Sequence, residues 1–230
     1  MLDRSAKVFI GMLVLFCLLV IWLNCQPVQL ARPEQQALLS WPIALMTVTM
    51  GWLGYFLSRK LDIPDLFDKN VSTKCRFIMP ALIGIGFGMV LALLDVIFKL
   101  PADLNIAWPY SVPYYLQGAI FADIQHFFPI VFLVWLVSSL IMKGRWQARI
   151  YWTAAVLISL VEPLQMTRLT ATAGPVGAFT IVLAVYIFAV NFMQAVCLKR
   201  AGFLSMLSLR LGQYLVWHII WGALRLPLIF

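Results

Sequence analysis

The chain has 230 residues, of which 63% are hydrophobic and 11% charged, and a formal net charge of +8. A water-soluble domain of that length could not hide so much apolar surface, whereas lipid tails make exposed apolar faces harmless. A β-barrel is excluded by pattern, because barrel strands alternate over about 10 residues and these apolar runs reach about 18 or more. Nucleic acid is excluded as a partner because the positive charge lies in short loops between apolar runs, where it sets membrane topology.

Taken in chain order, seven stretches pass as membrane spans. Each must be helical, since a segment in hydrocarbon has to satisfy its own backbone hydrogen bonds. The first runs from about Val8 to Cys25. It is too long for a signal peptide and lacks a small-residue cleavage site before Gln26 and Pro27, so it reads as a retained span. The second covers Ala37 to Ser58. A polar loop from Arg59 to Arg76 follows, with Asp62, Asp65 and Asp68 among its basic residues, and it is too short for a soluble domain. The third span, Phe77 to Phe98, contains Gly84, Gly86 and Gly88; the GxxxG spacing predicts close approach of another helix rather than a ligand site. The fourth, Tyr114 to Met142, is longer than a bilayer needs and contains Asp123, His126 and Pro129, which predicts a bent or extended helix with a polar patch. Ile150 to Met166, Gly174 to Leu198 and Phe203 to Leu226 complete the set.

The basic residues give these spans a direction. Arg4, Lys7, Arg59, Lys60, Lys69, Lys74, Arg76, Lys143, Arg145, Arg149, Lys199 and Arg200 all fall on one side. The opposite side holds only Arg32, Lys99, Arg168 and Arg225, and Arg210 is left inside a span. The positive-inside rule places the N-terminus in the cytoplasm and the C-terminus outside. The expected fold is therefore an all-α polytopic bundle. It forms a single integral membrane domain over residues 1–230, with two N-terminal spans and a cytoplasmic loop in 1–76 and a helical core in 77–230. Compactness and short loops suggest a bacterial inner membrane. Cys17, Cys25, Cys75 and Cys197 contain no CxxC pair, and only Cys25 would reach the outer face, so no disulfide framework is implied.

Candidate functional residues are the ionisable groups that ought to face lipid. Each costs about 2.5–3.5 kcal/mol to insert unless it meets a partner or a cavity. Asp123, His126 and His218 fall at similar depth and are expected to converge in a polar pocket, with Glu162 nearer the outer face beside Pro163. Two histidines and a carboxylate could move protons or hold a divalent metal, although spacing fixes no third ligand. The competing reading is that these groups pair with one another, or with Arg210 and Glu162, merely to make burial tolerable. Arg210 could alternatively snorkel towards the cytoplasm, and Asp95 is expected at the outer interface. Arg210, Gln213, Tyr214, Trp217, His218 and Trp221 make the last span polar along one side, so that helix should face the bundle interior.

From Phe77 onward the layout resembles the CAAX-protease and bacteriocin-processing (CPBP) family of intramembrane proteases. The resemblance is carried by PALIGIGFGMVLALLDVIF, a proline-rich outer loop, YYLQGAIFADIQHFFPIVFLVWL, and NFMQAVCLKRAGFLSMLSLRLGQYLVWH with Asn191 and Gly202. That family cleaves peptide bonds near the membrane with water activated by a glutamate–histidine pair. Its Glu-Glu-x-x-x-Arg motif falls here on Ala122, Asp123 and Phe127; its second motif's histidine falls near Gln165 or Thr167, and its third motif's on Arg210 with Tyr214 four residues later. Only Asp123 keeps a carboxylate, one methylene short for a general base that must come within about 3 Å of its water. The resemblance therefore implies a pseudoenzyme that binds another membrane protein or a hydrophobic ligand, as a subunit or assembly factor among membrane lipids. Two alternatives stand beside it: an active intramembrane peptidase using Asp123 with His126, His218 or Glu162, and a small proton-coupled transporter. The transporter would normally show repeat halves, and none is evident.

Overall fold

A computed structural model describes residues 3–28, 30–173 and 177–229, with the side chains at 102, 168–173 and 226–229 left aside. Two sequence expectations therefore lie outside the described residues: Arg168 as an outer-face cation, and Gly174 as the start of the sixth span.

Among the described residues every regular element is helical. Helix α1 (Arg4–Asn24) starts at Asp3, whose carboxylate accepts from the Ala6 backbone N–H at 2.7 Å. That backbone hydrogen bond, aided by the nearby Arg59, holds the Asp3 carboxyl below the usual range against the opposing effect of desolvation. A stripe of Phe9, Leu13, Phe16, Val20 and Leu23 faces inward, while Val14, Leu18 and Trp22 face outward. A helix apolar on both faces suits hydrocarbon and not water. The short α2 (Pro33–Ala37) precedes α3 (Trp41–Ser58). A π-helical turn (Lys74–Ile78) leads into α4 (Met79–Phe98), which ends at Lys99 in the left-handed region with φ 51°. After a 3-10 turn (Ala102–Leu104) comes α5 (Ser111–Val134), continued by a π-helical segment (Trp135–Ile141). Then follow α6 (Gln147–Ala173), α7 (Ala178–Ala201) and α8 (Phe203–Tyr214). A π-helical segment (Leu215–Trp221) and α9 (Gly222–Ile229) carry α8 onward.

Among the described residues four helical stretches are long and apolar enough to cross a membrane: Arg4–Asn24, Lys74–Phe98, Ser111–Ile141 and Ala178–Ala201. The other three expected spans coincide with helices α3, α6 and the α8 stretch. These are less apolar: Pro42, Thr47, Thr49, Gly51 and Gly54 dilute α3, and Glu162, Gln165, Arg210, Gln213 and His218 fall in the other two.

Helix α5 is the hub. Ile120, Ile124, Phe127, Ile130, Val131 and Val134 are buried to 2% exposure or less. One side of α5 packs on α1 and α3, and the other joins α6, α7 and α8 in a four-helix ring, with α4 laid against the outside of α8. Gly54 on α3 makes room for Phe127: a methyl there would stand 2.7 Å from its ring. The α4–α8 contact is closer still. A Cβ at Gly84 would overlap the Leu209 carbonyl oxygen, and one at Gly212 would overlap that of Ala81. The GxxxG glycines thus serve backbone-to-backbone packing, as their spacing predicts.

The loop after α3 is fastened to the helix ends. Lys199 pairs with the Asp62 carboxylate at 3.0 Å, and Arg59 with Asp3 at 2.8 Å. Arg76 donates to the carbonyls of Asp68 and Val71. Gly202, at φ 81°, turns the chain from α7 into α8 directly against the Pro64 carbonyl.

Candidate functional site

The four-helix ring encloses a polar centre. On α5, Asp123 and His126 are three residues apart and share a face. The same spacing aligns Asn191 with Gln194 on α7, and Arg210 with Gln213 and Tyr214 on α8. Asp123 Oδ1 accepts from Gln194 Nε2 at 2.6 Å and from Arg210 Nε at 3.0 Å. Arg210 Nη2 donates to Gln194 Oε1 at 2.7 Å, which closes a three-sided network. Asp123 and Gln194 are wholly buried and Arg210 is 7% exposed. Burying either charge alone would be prohibitive; together, with Gln194 bridging them, each is compensated. Asp123 Oδ2 is buried without a hydrogen bond.

Beside this network lies a cavity of about 530 Å³ between α5, α6, α7 and α8. Its polar lining includes His126, Glu162, Asn191, Arg210 and Tyr214, and its apolar lining includes Phe121, Ile158 and Val161. Glu162 Oε2 accepts from Asn191 Nδ2 at 3.0 Å, and Glu162 is exposed at the α6 side. His126 is 7% exposed; the Asn191 backbone lies beside its ring, and Nε2 makes no hydrogen bond. Pro129 and Pro163 interrupt the helical hydrogen bonding of α5 and α6 at this level without ending either helix. A second cavity, of about 280 Å³, lies towards α4 and shares Glu162, Asn191, Arg210 and Tyr214 with the first. There Gln213 Nε2 donates to the Tyr186 hydroxyl at 2.9 Å, and that hydroxyl donates to the Phe87 carbonyl at 3.0 Å.

The expected residues are thus only partly brought together. Asp123 meets Arg210, so Arg210 does not snorkel. His126, Glu162, Asn191, Arg210 and Tyr214 line one cavity, while Gln213 and His218 line the other. His218 Nδ1 bonds with Asn105 Oδ1 at 2.7 Å, and its ring stacks on Tyr115 with centroids 3.8 Å apart. It therefore has its own partners and stands apart from the Asp123 network. Among the described residues no group of three or more His, Cys, Asp or Glu side chains is placed to hold a metal ion. Asp95 is fully enclosed instead of interfacial: its carboxylate takes Arg225 at 2.7 Å, Trp221 Nε1 at 2.7 Å and the Leu100 N–H at 2.8 Å. Sequence reasoning misses Gln194, Asn105 and Tyr115. A signal exists for Gln194, a polar residue three positions after Asn191 in an otherwise apolar stretch. Asn105 lies in a loop, and nothing local marks it.

The described residues define an all-helical fold with four helices long and apolar enough to cross a membrane and a charged, partly hollow centre. No protein-family model matches the chain, and neither does any curated protein or solved structure.

Proposed function

We propose that this chain is a non-proteolytic integral membrane protein that binds an amphiphilic ligand, with the ligand's polar end in the central cavity and its apolar part towards lipid. The observation that carries the reading is the engagement of Asp123 Oδ1 by both Arg210 and Gln194 next to a cavity with polar and apolar walls. A general base needs a carboxylate oxygen free to approach water. In the one carboxylate that the CPBP resemblance retains, a guanidinium and an amide hold one oxygen, and the other is enclosed behind the cavity wall. The reading accordingly takes the chain as a CPBP-like pseudoenzyme of a bacterial inner membrane, with seven spans, its N-terminus in the cytoplasm and its C-terminus outside.

Native mass spectrometry of protein extracted in mild detergent tests it: one amphiphile should remain bound per chain. Recovery of bare protein would overturn it. Cleavage of a reporter by the wild type, lost in both Asp123→Ala and His218→Ala, would replace it with the hydrolase reading. Topology has its own check. Cys25 and Cys75 are both exposed. A membrane-impermeant maleimide should label Cys25 in intact cells and Cys75 only after permeabilisation.

A second reading, a subunit that binds a helix of another membrane protein, draws on the apolar groove between α1 and α3 lined by Cys17, Trp41, Leu45 and Val48. A stoichiometric protein partner in the same native spectra would favour it.

A further inference from the structure

We infer that the polar end of the ligand is a primary ammonium group, received by Glu162 in the larger cavity. This inference rests on the amphiphile-binding reading and adds the chemistry of the head group. Two independent features of the site support it.

The first is charge. Among the described residues the fixed charges at the cavity and its adjoining network are two carboxylates, Asp123 and Glu162, and one guanidinium, Arg210. Arg210 is already held by Asp123 and Gln194. Glu162 has the neutral amide of Asn191 as its hydrogen-bond partner. The uncompensated charge at the wall is therefore negative, and an anionic head group would find the cation already engaged. A carboxylate hydrogen-bonded by a neutral amide still favours a cationic partner.

A primary ammonium carries three donors and can hydrogen-bond directly to the Glu162 carboxylate. A quaternary ammonium has no N–H to offer, and a hydroxyl has one. The second is shape and lining. Phe121 and Tyr214 place aromatic rings at the cavity wall, which suits a cation, and Ile158 and Val161 on α6 continue the wall as apolar surface next to the exposed side of Glu162. An alkyl chain attached to the ammonium can leave along that surface into hydrocarbon.

The same ammonium chemistry could come from a long-chain amine, from a lipid with an ethanolamine head group or from a small free amine, so the test separates them. Purified protein in phosphatidylcholine nanodiscs is titrated with a long-chain primary amine, the long-chain alcohol of equal length, phosphatidylethanolamine and free ethanolamine. The wild type should bind the long-chain amine about tenfold more tightly than the alcohol, as one charge-assisted hydrogen bond would give. Preference for phosphatidylethanolamine over the phosphatidylcholine background points to a lipid source, and equal binding of free ethanolamine points to a soluble one; either upholds the ammonium assignment. Glu162→Gln keeps an acceptor for Asn191 and should erase the preference for amine over alcohol. Equal binding of amine and alcohol by the wild type, or a preference that survives in Glu162→Gln, overturns the inference and leaves the amphiphile reading standing. Failure of every probe to bind overturns both.

Discussion

Two buried acid–arginine pairs sit among the described residues, and they are built differently. Asp95 with Arg225 joins the end of α4 to α9; Asp123 with Arg210 joins α5 to α8. Asp95 uses both oxygens, one for the Leu100 N–H and the other for Trp221 and Arg225. Arg225 also donates to the carbonyls of Pro101 and Leu100. Asp123 concentrates its hydrogen bonds on one oxygen and leaves the other bare, behind the wall of a cavity that Arg210 helps to line. A carboxylate with both oxygens in use can only fasten chain to chain. One whose second oxygen is enclosed and unpaired ties only its own arginine and glutamine into the bundle.

The sharpest way to break this contrast is to remove each acid. Asp95→Ala strands a buried guanidinium, an indole N–H and a backbone N–H, and should cost the most, about 3–5 kcal/mol in detergent-driven unfolding. The double variant Asp95→Leu with Arg225→Met should stay destabilised, because Leu100 and Trp221 still lack their acceptor, at about 1–3 kcal/mol each. Asp123→Ala should cost about 3 kcal/mol, but here the double variant Asp123→Leu with Arg210→Met should regain most of the loss, since an apolar pair of similar volume commonly matches a buried ion pair. Equal recovery in both doubles would erase the distinction. Glu162→Gln, on the rim, should shift unfolding by under ~0.5 kcal/mol.

The smallest effect concerns an ion pair outside the spans. The Arg32 hydrogen bond, at 2.7 Å, holds the Asp103 carboxyl below its ordinary 3.8 against the opposing pull of desolvation. A carboxyl depressed in the fold contributes stability above its unfolded pKa and loses it as pH falls through the folded one. Arg32→Ala should therefore raise the Asp103 titration midpoint, seen by carboxyl NMR. It should also remove that slight acid sensitivity.

Much of the architecture is legible in the sequence because apolar runs and capping residues act locally. The runs around Phe9, Leu91, Ile124 and Val190 become helices wherever they pack, and Gly84 and Gly88 announce a close helix contact. Span edges drift where helices run on past the apolar stretch: α6 begins at Gln147, before the apolar run that opens at Ile150, and α8 continues through a π-helical segment. The site is legible by composition and not by pairing. Buried polar residues in the spans are evident, yet which ones meet depends on helix rotation and stagger. Depth alone groups Asp123 with His126 and His218, whereas the hydrogen bonds follow the competing pairing with Arg210 and add Gln194; depth also puts Asp95 at an interface, although Arg225 meets it from far along the chain. Nothing in the local sequence encodes a contact between positions 95 and 225.

The seam between α4 and α8 has a further consequence for how this bundle could move. With the Leu209 and Ala81 carbonyls resting directly on glycine backbones, no side chain lies at those points to change rotamer and let the helices slide. That flank behaves as a keel. Any widening of the central chamber falls to the opposite flank, where the proline-interrupted α5 and α6 meet.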